Sequence, residues 1–217
     1  MTVHYFGEEN SLLNQFIAEI RDVSIQKDSL RFRRNIERIG EVLSYELSKA
    51  LNYQKETITT PFGSKEMSLS KDKLVLCSVL RAGLPLHQGL LSYFDGAENA
   101  FISAYRHHPG GEDAFEVIVK YFAAPSLKGK TLVLTDPMLA TGRTLENVFK
   151  ALKSHGNPDQ IHIISVIGST DGIEYVKSVF PQNTHLWIAA IDRELTSKGY
   201  IIPGLGDAGD LAFGVKL

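Results

Sequence analysis

The stretch from Thr131 to Gly156, TLVLTDPMLATGRTLENVFKALKSHG, restricts the fold more than any other part of the chain. Its apolar run Leu132, Val133, Leu134 is short and β-compatible, as in a strand buried on both faces. A loop follows, Asp136-Pro137-Met138-Leu139-Ala140-Thr141-Gly142. Then Leu145, Val148, Phe149 and Leu152 recur at helical spacing, and Gly156 marks the stop. A loop that leaves a buried strand and opens a helix points several backbone N–H groups at one spot. The helix dipole adds positive charge there, so the spot suits a phosphate. Gly142 removes a side chain where the backbone meets an anion, and Thr141 and Thr144 add hydroxyl donors. Asp136 stands at the carboxyl end of the strand, where open α/β sheets bind ligands. Phosphate would repel a carboxylate, so Asp136 is assigned to hydroxyls or to a metal shared with the ligand. Taken alone, the stretch also fits a plain helix cap on a tight turn.

Strand and helix patterns alternate through most of the chain, which predicts a mostly parallel sheet covered by helices. Residues 1–27 read as an arm with a short helix on Leu12, Leu13, Phe16, Ile17 and Ile20. Residues 28–51 read as a long amphipathic helix carrying Arg31, Arg33, Arg34 and Arg38, either a solvated face or an interface or anion-binding face. An arm plus a helix outside the sheet core predicts subunit packing, in a homodimer or a multiple of dimers. Lys55 to Thr60 reads as an edge strand, and Lys73 to Val79 as a buried one. A helix from Leu84 to Tyr93 and strands at Asn99–Ala104, Gln160–Val166 and His185–Ile191 continue the alternation, with a helix from Gly172 to Phe180. Trp187 is a packing residue. The alternation Phe115, Val117, Val119, Tyr121 predicts the second arm of a hairpin over the site. A length of 217 residues fits a single domain.

Two further stretches carry chemistry. Leu80-Arg81-Ala82-Gly83-Leu84-Pro85 is a second strand-to-helix junction. Its small residues admit a ligand, and Arg81 offers a planar fork suited to phosphate oxygens. Tyr200 to Asp210, YIIPGLGDAGD, concentrates three glycines, a proline and two acids, which predicts a shaped loop. Such a loop presents backbone N–H and C=O groups to a flat ligand. A pyrimidine edge, acceptor–donor–acceptor, matches that presentation.

The formal charge of −2 gives no bulk signal for nucleic acid or a membrane surface, and no apolar run has the length of a membrane span. The polar start MTVHYFGEEN lacks a signal-peptide pattern, which predicts a cytoplasmic protein. One cysteine, Cys77, excludes an internal disulfide and a multi-cysteine metal site; its apolar surroundings predict a buried, inert thiol. The adjacent His107 and His108, in a polar glycine-rich turn, read as solvated and not as metal ligands.

Together the three motifs, in this order, resemble the type I phosphoribosyltransferases, and within them the uracil branch. That branch keeps an acid followed by proline where Asp136-Pro137 stand, and it carries the YIIPGLGDAGD segment. The resemblance implies an α/β fold with a central, mostly parallel sheet, a C-terminal base-binding hood over residues 193–217 and a β-hairpin over the site. It implies the conversion of uracil and phosphoribosyl diphosphate (PRPP) to UMP and diphosphate. Carried over by position, Arg81, Arg106, Asp136, Pro137, Met138, Leu139, Ala140, Thr141, Gly142, Arg143, Thr144 and Asp207 would bind PRPP. Ile201, Gly206, Asp207 and Ala208 would bind uracil. Asp136, Asp207 and Arg106 are the catalytic candidates, and Asp207 would hold Mg2+ through water. GTP is a candidate effector. The chain departs from the family at Pro85, in the segment after Arg106, and at Arg143, which either adds a phosphate contact, crowds the cradle or projects outwards. Two other readings stay open: a phosphoribosyltransferase for another base, and a non-catalytic relative that senses nucleotides.

Overall fold

The computed structural model describes residues 1–107 and 116–216, with side chains omitted at 104–107 and 116–120. The Arg106 side chain and the segment from His107 to Gly111, both singled out in the sequence, therefore lie outside the described residues, apart from the backbone up to 107.

In chain order the elements are β1 (Thr2–Tyr5), α1 (Leu12–Arg21), α2 (Ser29–Ser48), β2 (Tyr53–Thr60), β3 (Gly63–Ser70) and β4 (Leu74–Leu80). Then come α3 (Gly83–Leu91), β5 (Glu98–His107), β6 (Glu116–Ala123), β7 (Thr131–Thr135), β8 (Met138–Leu139) and α4 (Arg143–Leu152). The chain ends with β9 (Gln160–Ser169), α5 (Thr170–Val179), β10 (His185–Asp192), β11 (Glu194–Leu195), β12 (Ile201–Ile202) and α6 (Ala208–Phe213). The main sheet runs β1-β10-β9-β7-β4-β5-β6, with β8 added to β9. Every pair is parallel except β5 with β6, the predicted hairpin.

The central strands are mostly apolar on both faces because both faces are covered. Side-chain alternation divides them between two core layers. Leu74 and Leu76 of β4 and Val133 of β7 join a layer with Phe32, Ile36, Ile39 and Leu43 of α2 and Leu86 of α3. Val75, Cys77, Leu132 and Leu134 face the other layer, with Leu145 and Val148 of α4 and Val176 of α5. Cys77 is buried and unpaired, and burial pushes its thiol up to about 12, so it stays protonated.

Two expectations are corrected. The first 51 residues do not stand outside the sheet core. β1 forms the edge of the parallel sheet beside β10, and α2 buries Phe32, Ile36, Ile39, Leu43 and Leu47. The four arginines of α2 are engaged within the chain. Arg31 pairs with Glu19, Arg34 with Glu37, Arg33 donates to the Ala212 carbonyl, and Arg38 donates to Asn35 over the Phe16 ring. Second, Lys55–Thr60 is no edge of the sheet: β2 and β3 form a separate antiparallel hairpin. Almost all of its residues are exposed, including Ile58, Phe62, Met67 and Leu69. Among the described residues, no helix is long and apolar enough to cross a membrane.

At the amino ends of the strands, Trp187 stacks on His4 at 3.8 Å between ring centroids and donates to Nδ1 of His162 at 3.0 Å. His162 is fully buried. With Nδ1 accepting, the neutral ring carries its proton on Nε2, which has no partner. Burial, reinforced by His185, pushes the His162 imidazole down to about 4. The unfolded chain takes up this proton near pH 6.5 and the folded chain does not. The contribution of neutral His162 to stability is therefore complete above pH 6.5 and is lost as pH falls to about 4. Urea midpoints should drop across that window, by an energy on the order of 3 kcal/mol at most. His162→Gln should flatten the slope; an unchanged slope would remove His162 as its source.

Candidate active site

The loops at the carboxyl ends of β4 and β7, together with the C-terminal segment after β12, form the site. β4 and β7 are parallel neighbours, so the loops leaving them start side by side. A Cβ built on Gly83 would stand 3.4 Å from the Thr135 carbonyl and 2.5 Å from Ser78 Oγ, which shows how closely the Arg81 loop crosses the end of β7. The C-terminal segment closes the third side. A Cβ on Gly209 would lie 3.2 Å from Asp207 Oδ1 and 3.6 Å from Arg81 Nη2.

The loop from Asp136 to Thr144 is fixed by hydrogen bonds. One Asp136 carboxylate oxygen accepts from the Met138 N–H at 3.1 Å, an Asx turn that aims the chain into β8. The Ser165 hydroxyl donates to the Asp136 carbonyl, Ile167 N–H to the Pro137 carbonyl, and Ser169 to the Ala140 carbonyl. Gly142 has φ 74° and ψ −12°, and a Cβ there would meet Tyr175 at 2.9 Å and Val176 at 3.0 Å. The glycine is thus required by backbone sign and by α5, a reason the sequence did not show. A shallow hollow follows this loop, lined by Asp136, Met138 to Gly142, Thr144 and Leu145. Pro137 and Arg143 do not line it. Pro137 is buried, and the exposed Arg143 lays its guanidinium over the Tyr175 ring at 5.5 Å. Of the readings open for Arg143, the structure shows the outward one.

Helix starts separate the phosphate loops from the rest. Among the described α-helices, α1, α2, α5 and α6 are capped by the side chains of Ser11, Asp28, Ser169 and Asp207. α3 and α4 have no side-chain cap. These are the two helices opened by the Arg81 and Asp136 loops. The first turn of α4 keeps donor capacity that an anion can use, whereas in α3 the Leu84 N–H already donates to the Arg81 carbonyl and Pro85 has no N–H, so fewer donors remain there.

Arg81 is half-exposed, and its guanidinium rests on the C-terminal segment. Nη2 donates to Asp210 Oδ1 at 2.9 Å and Nη1 to the Gly214 carbonyl at 3.1 Å. Asp207 caps α6 by accepting from the Asp210 N–H at 3.0 Å, and its other oxygen meets Lys216 at 3.3 Å. Burial raises the Asp207 carboxyl, but the capping N–H and Lys216 outweigh it, and the net shift is downward. Asp207 is therefore ionised at neutral pH. The expectation of a wholly irregular loop is corrected over Ala208–Phe213, where this cap starts a short helix and Gly214 ends it at φ 85°. Ile201 and Ala208 are buried and Gly206 is exposed.

Sequence reasoning missed Asp210, Arg21 and Asp192. Arg21 forms a two-pronged pair with Asp192, at 2.8 and 2.9 Å, and also donates to the Gly204 carbonyl at 3.1 Å. The pair spans 171 positions, so no local pattern announces it. The only signal for Asp210 is its place three residues after a capping acid.

Comparison with known proteins finds relatives over nearly the whole chain. The family model described as "Uracil phosphoribosyltransferase" matches residues 8–215. A uracil phosphoribosyltransferase of Porphyromonas gingivalis is 54% identical over 217 residues, covering 100% of both chains. One from Thermococcus gammatolerans is 37% identical, covering 98% of this chain and 94% of its own. A solved structure from Aquifex aeolicus superposes with a TM-score of 0.86 at 28% identity, over 99% of this chain and 100% of that one. The chain belongs to the uracil phosphoribosyltransferase family.

Proposed function

We propose that the site transfers the phosphoribosyl group of PRPP to a ring nitrogen of uracil, giving UMP and diphosphate in pyrimidine salvage. The observation that carries this reading is the pair of helix starts without a side-chain cap, α3 and α4, opened by loops that leave neighbouring parallel strands. Ala140 to Gly142, Thr144 and the start of α4 cradle the 5′-phosphate. Asp136 holds the ribose hydroxyls. The start of α3 and Arg81 take the diphosphate, and Arg106, placed by the resemblance, joins them. Ile201, Gly206 and Ala208 present the backbone edge that pairs with uracil.

As the C–O bond to diphosphate stretches, the ribose ring gains positive charge and the leaving group negative charge. The carboxylates of Asp136 and Asp207 stabilise the first, and the cations and helix starts stabilise the second. Among the described residues, no three His, Cys, Asp or Glu side chains gather into a metal cage. Mg2+ takes one or two carboxylates, several waters and substrate phosphates. Asp207 would hold it through water, and the ion would supply positive charge to the diphosphate.

The protein works in this reading as a cytoplasmic homodimer or a multiple of dimers. The β2–β3 hairpin supports assembly. A two-stranded hairpin is marginal alone in water, and this one exposes Ile58, Phe62, Met67 and Leu69.

Labelled uracil, PRPP and Mg2+ should yield UMP, with activity lost in EDTA and restored by Mg2+. Intact PRPP binding without turnover would favour a nucleotide sensor. Running the assay with GTP reads its effect as an effector. Asp136→Asn should lower kcat roughly 100-fold while changing PRPP affinity far less. Equal losses would make Asp136 a binding residue only. Gly142→Ala should lower stability by about 1–2 kcal/mol and weaken PRPP binding, read by thermal melts and calorimetry. Light scattering at micromolar concentration should give a dimer or larger; a monomer would refute the assembly.

A further inference from the structure

We infer that Arg21 and Asp192 are positioning residues for the base, whose ion pair sets the backbone of the 201–206 loop and so the selectivity for uracil. This rests on the placement of uracil at Ile201, Gly206 and Ala208. Arg21 is the last residue of α1 and Asp192 the last of β10, so the pair ties the two elements that flank the loop.

Its geometry is specific to one loop residue. Asp192 Oδ2 accepts from the Gly204 N–H at 2.8 Å, while Arg21 Nη1 donates to the Gly204 carbonyl at 3.1 Å. Both backbone groups of Gly204 are held by a single guanidinium–carboxylate unit. The next carbonyl, of Leu205, accepts from Gln26 Nε2 at 3.2 Å, and that amide also binds the Ile20 and Arg21 carbonyls. Three consecutive peptide units leading to Gly206 are thereby tied down, the first to Asp192 and the next two to α1 and its C-terminal turn. The side chains of Ile201, Leu205 and Ala208 are buried in the core layer that holds α2.

Stability does not explain this unit. The Asp192 side chain is 8% exposed and Arg21 24%, and apolar residues of similar volume generally serve stability as well as a buried ion pair does. An apolar pair, however, has nothing to offer the N–H and C=O of Gly204. Only a group that donates and accepts at once, in a planar fork, satisfies both. A site that reads a base through backbone groups discriminates only as well as those groups are held, because an analogue is rejected by leaving one unpaired. Burial raises the Asp192 carboxyl, yet Arg21 and the Gly204 N–H outweigh it and the net shift is down, so the pair stays charged at neutral pH.

Steady-state kinetics with uracil and cytosine, with PRPP affinity by calorimetry, test this. Asp192→Asn should raise KM for uracil about tenfold or more and narrow the preference for uracil over cytosine, with PRPP affinity within about twofold of the parent. Arg21→Lys, which keeps one contact, should fall between. The double variant Arg21→Met with Asp192→Leu should recover the melting temperature without recovering KM. Parent KM and base preference in folded Asp192→Asn would overturn the inference, as would losses of uracil and PRPP binding in parallel with Tm. Ala208→Val separates the two readings. If it keeps the parent KM for uracil, the base lies elsewhere. If it raises KM while Asp192→Asn does not, the clamp alone fails.

Discussion

A strand covered on both faces can meet a ligand only at its ends, and this constraint shapes the whole molecule. β4, β7 and β9 carry apolar side chains to two layers at once. A polar side chain along them is costly unless it finds a partner in the core, as Thr135 and Ser165 do on carbonyls and His162 on Trp187. The polar chemistry collects where these strands stop, in Arg81, Asp136 and the serines of β9. The parallel order then puts the stops on one edge, so loops distant in sequence begin as neighbours.

Charge at that edge is arranged before any substrate arrives. Arg81 rests on Asp210, and Asp207 is shared between the α6 start and Lys216. These partly exposed pairs are weak in water, so a polyanion carrying its own cation can take their place at small cost. The uncapped starts of α3 and α4 have no such competitor in a side chain. Fixed dipoles thus serve the phosphates, while exchangeable ion pairs connect the phosphate side to the base side.

The sequence carried the local parts of this design and not the distant ones. β7, its loop and α4 follow from the apolar run at 132–134, the glycine at 142 and the helical spacing after it. The LRAG junction and the C-terminal glycines are equally local. The role of β1 was hidden because a four-residue strand gains its meaning only from pairing with β10. β2 was legible as a strand over Lys55–Thr60, but its pairing with β3 was hidden, because β3 is exposed on both faces and shows no alternation. The Arg21–Asp192 unit was hidden for a third reason: at the end of α1 an arginine is an ordinary helix terminus, and its partner is the last residue of a distant strand.

Met138 and Ala140 pack towards the α2 layer and Leu139 towards the α4–α5 layer. Three successive residues of the phosphate loop are therefore driven through the sheet like a rivet, gripped from above and below. A segment held that way has little room to adapt. Any accommodation of a longer or bulkier sugar phosphate falls to the opposite wall, where Arg81 and the C-terminal turn meet through single side-chain contacts. The pocket has one jaw that is cast and one that swings.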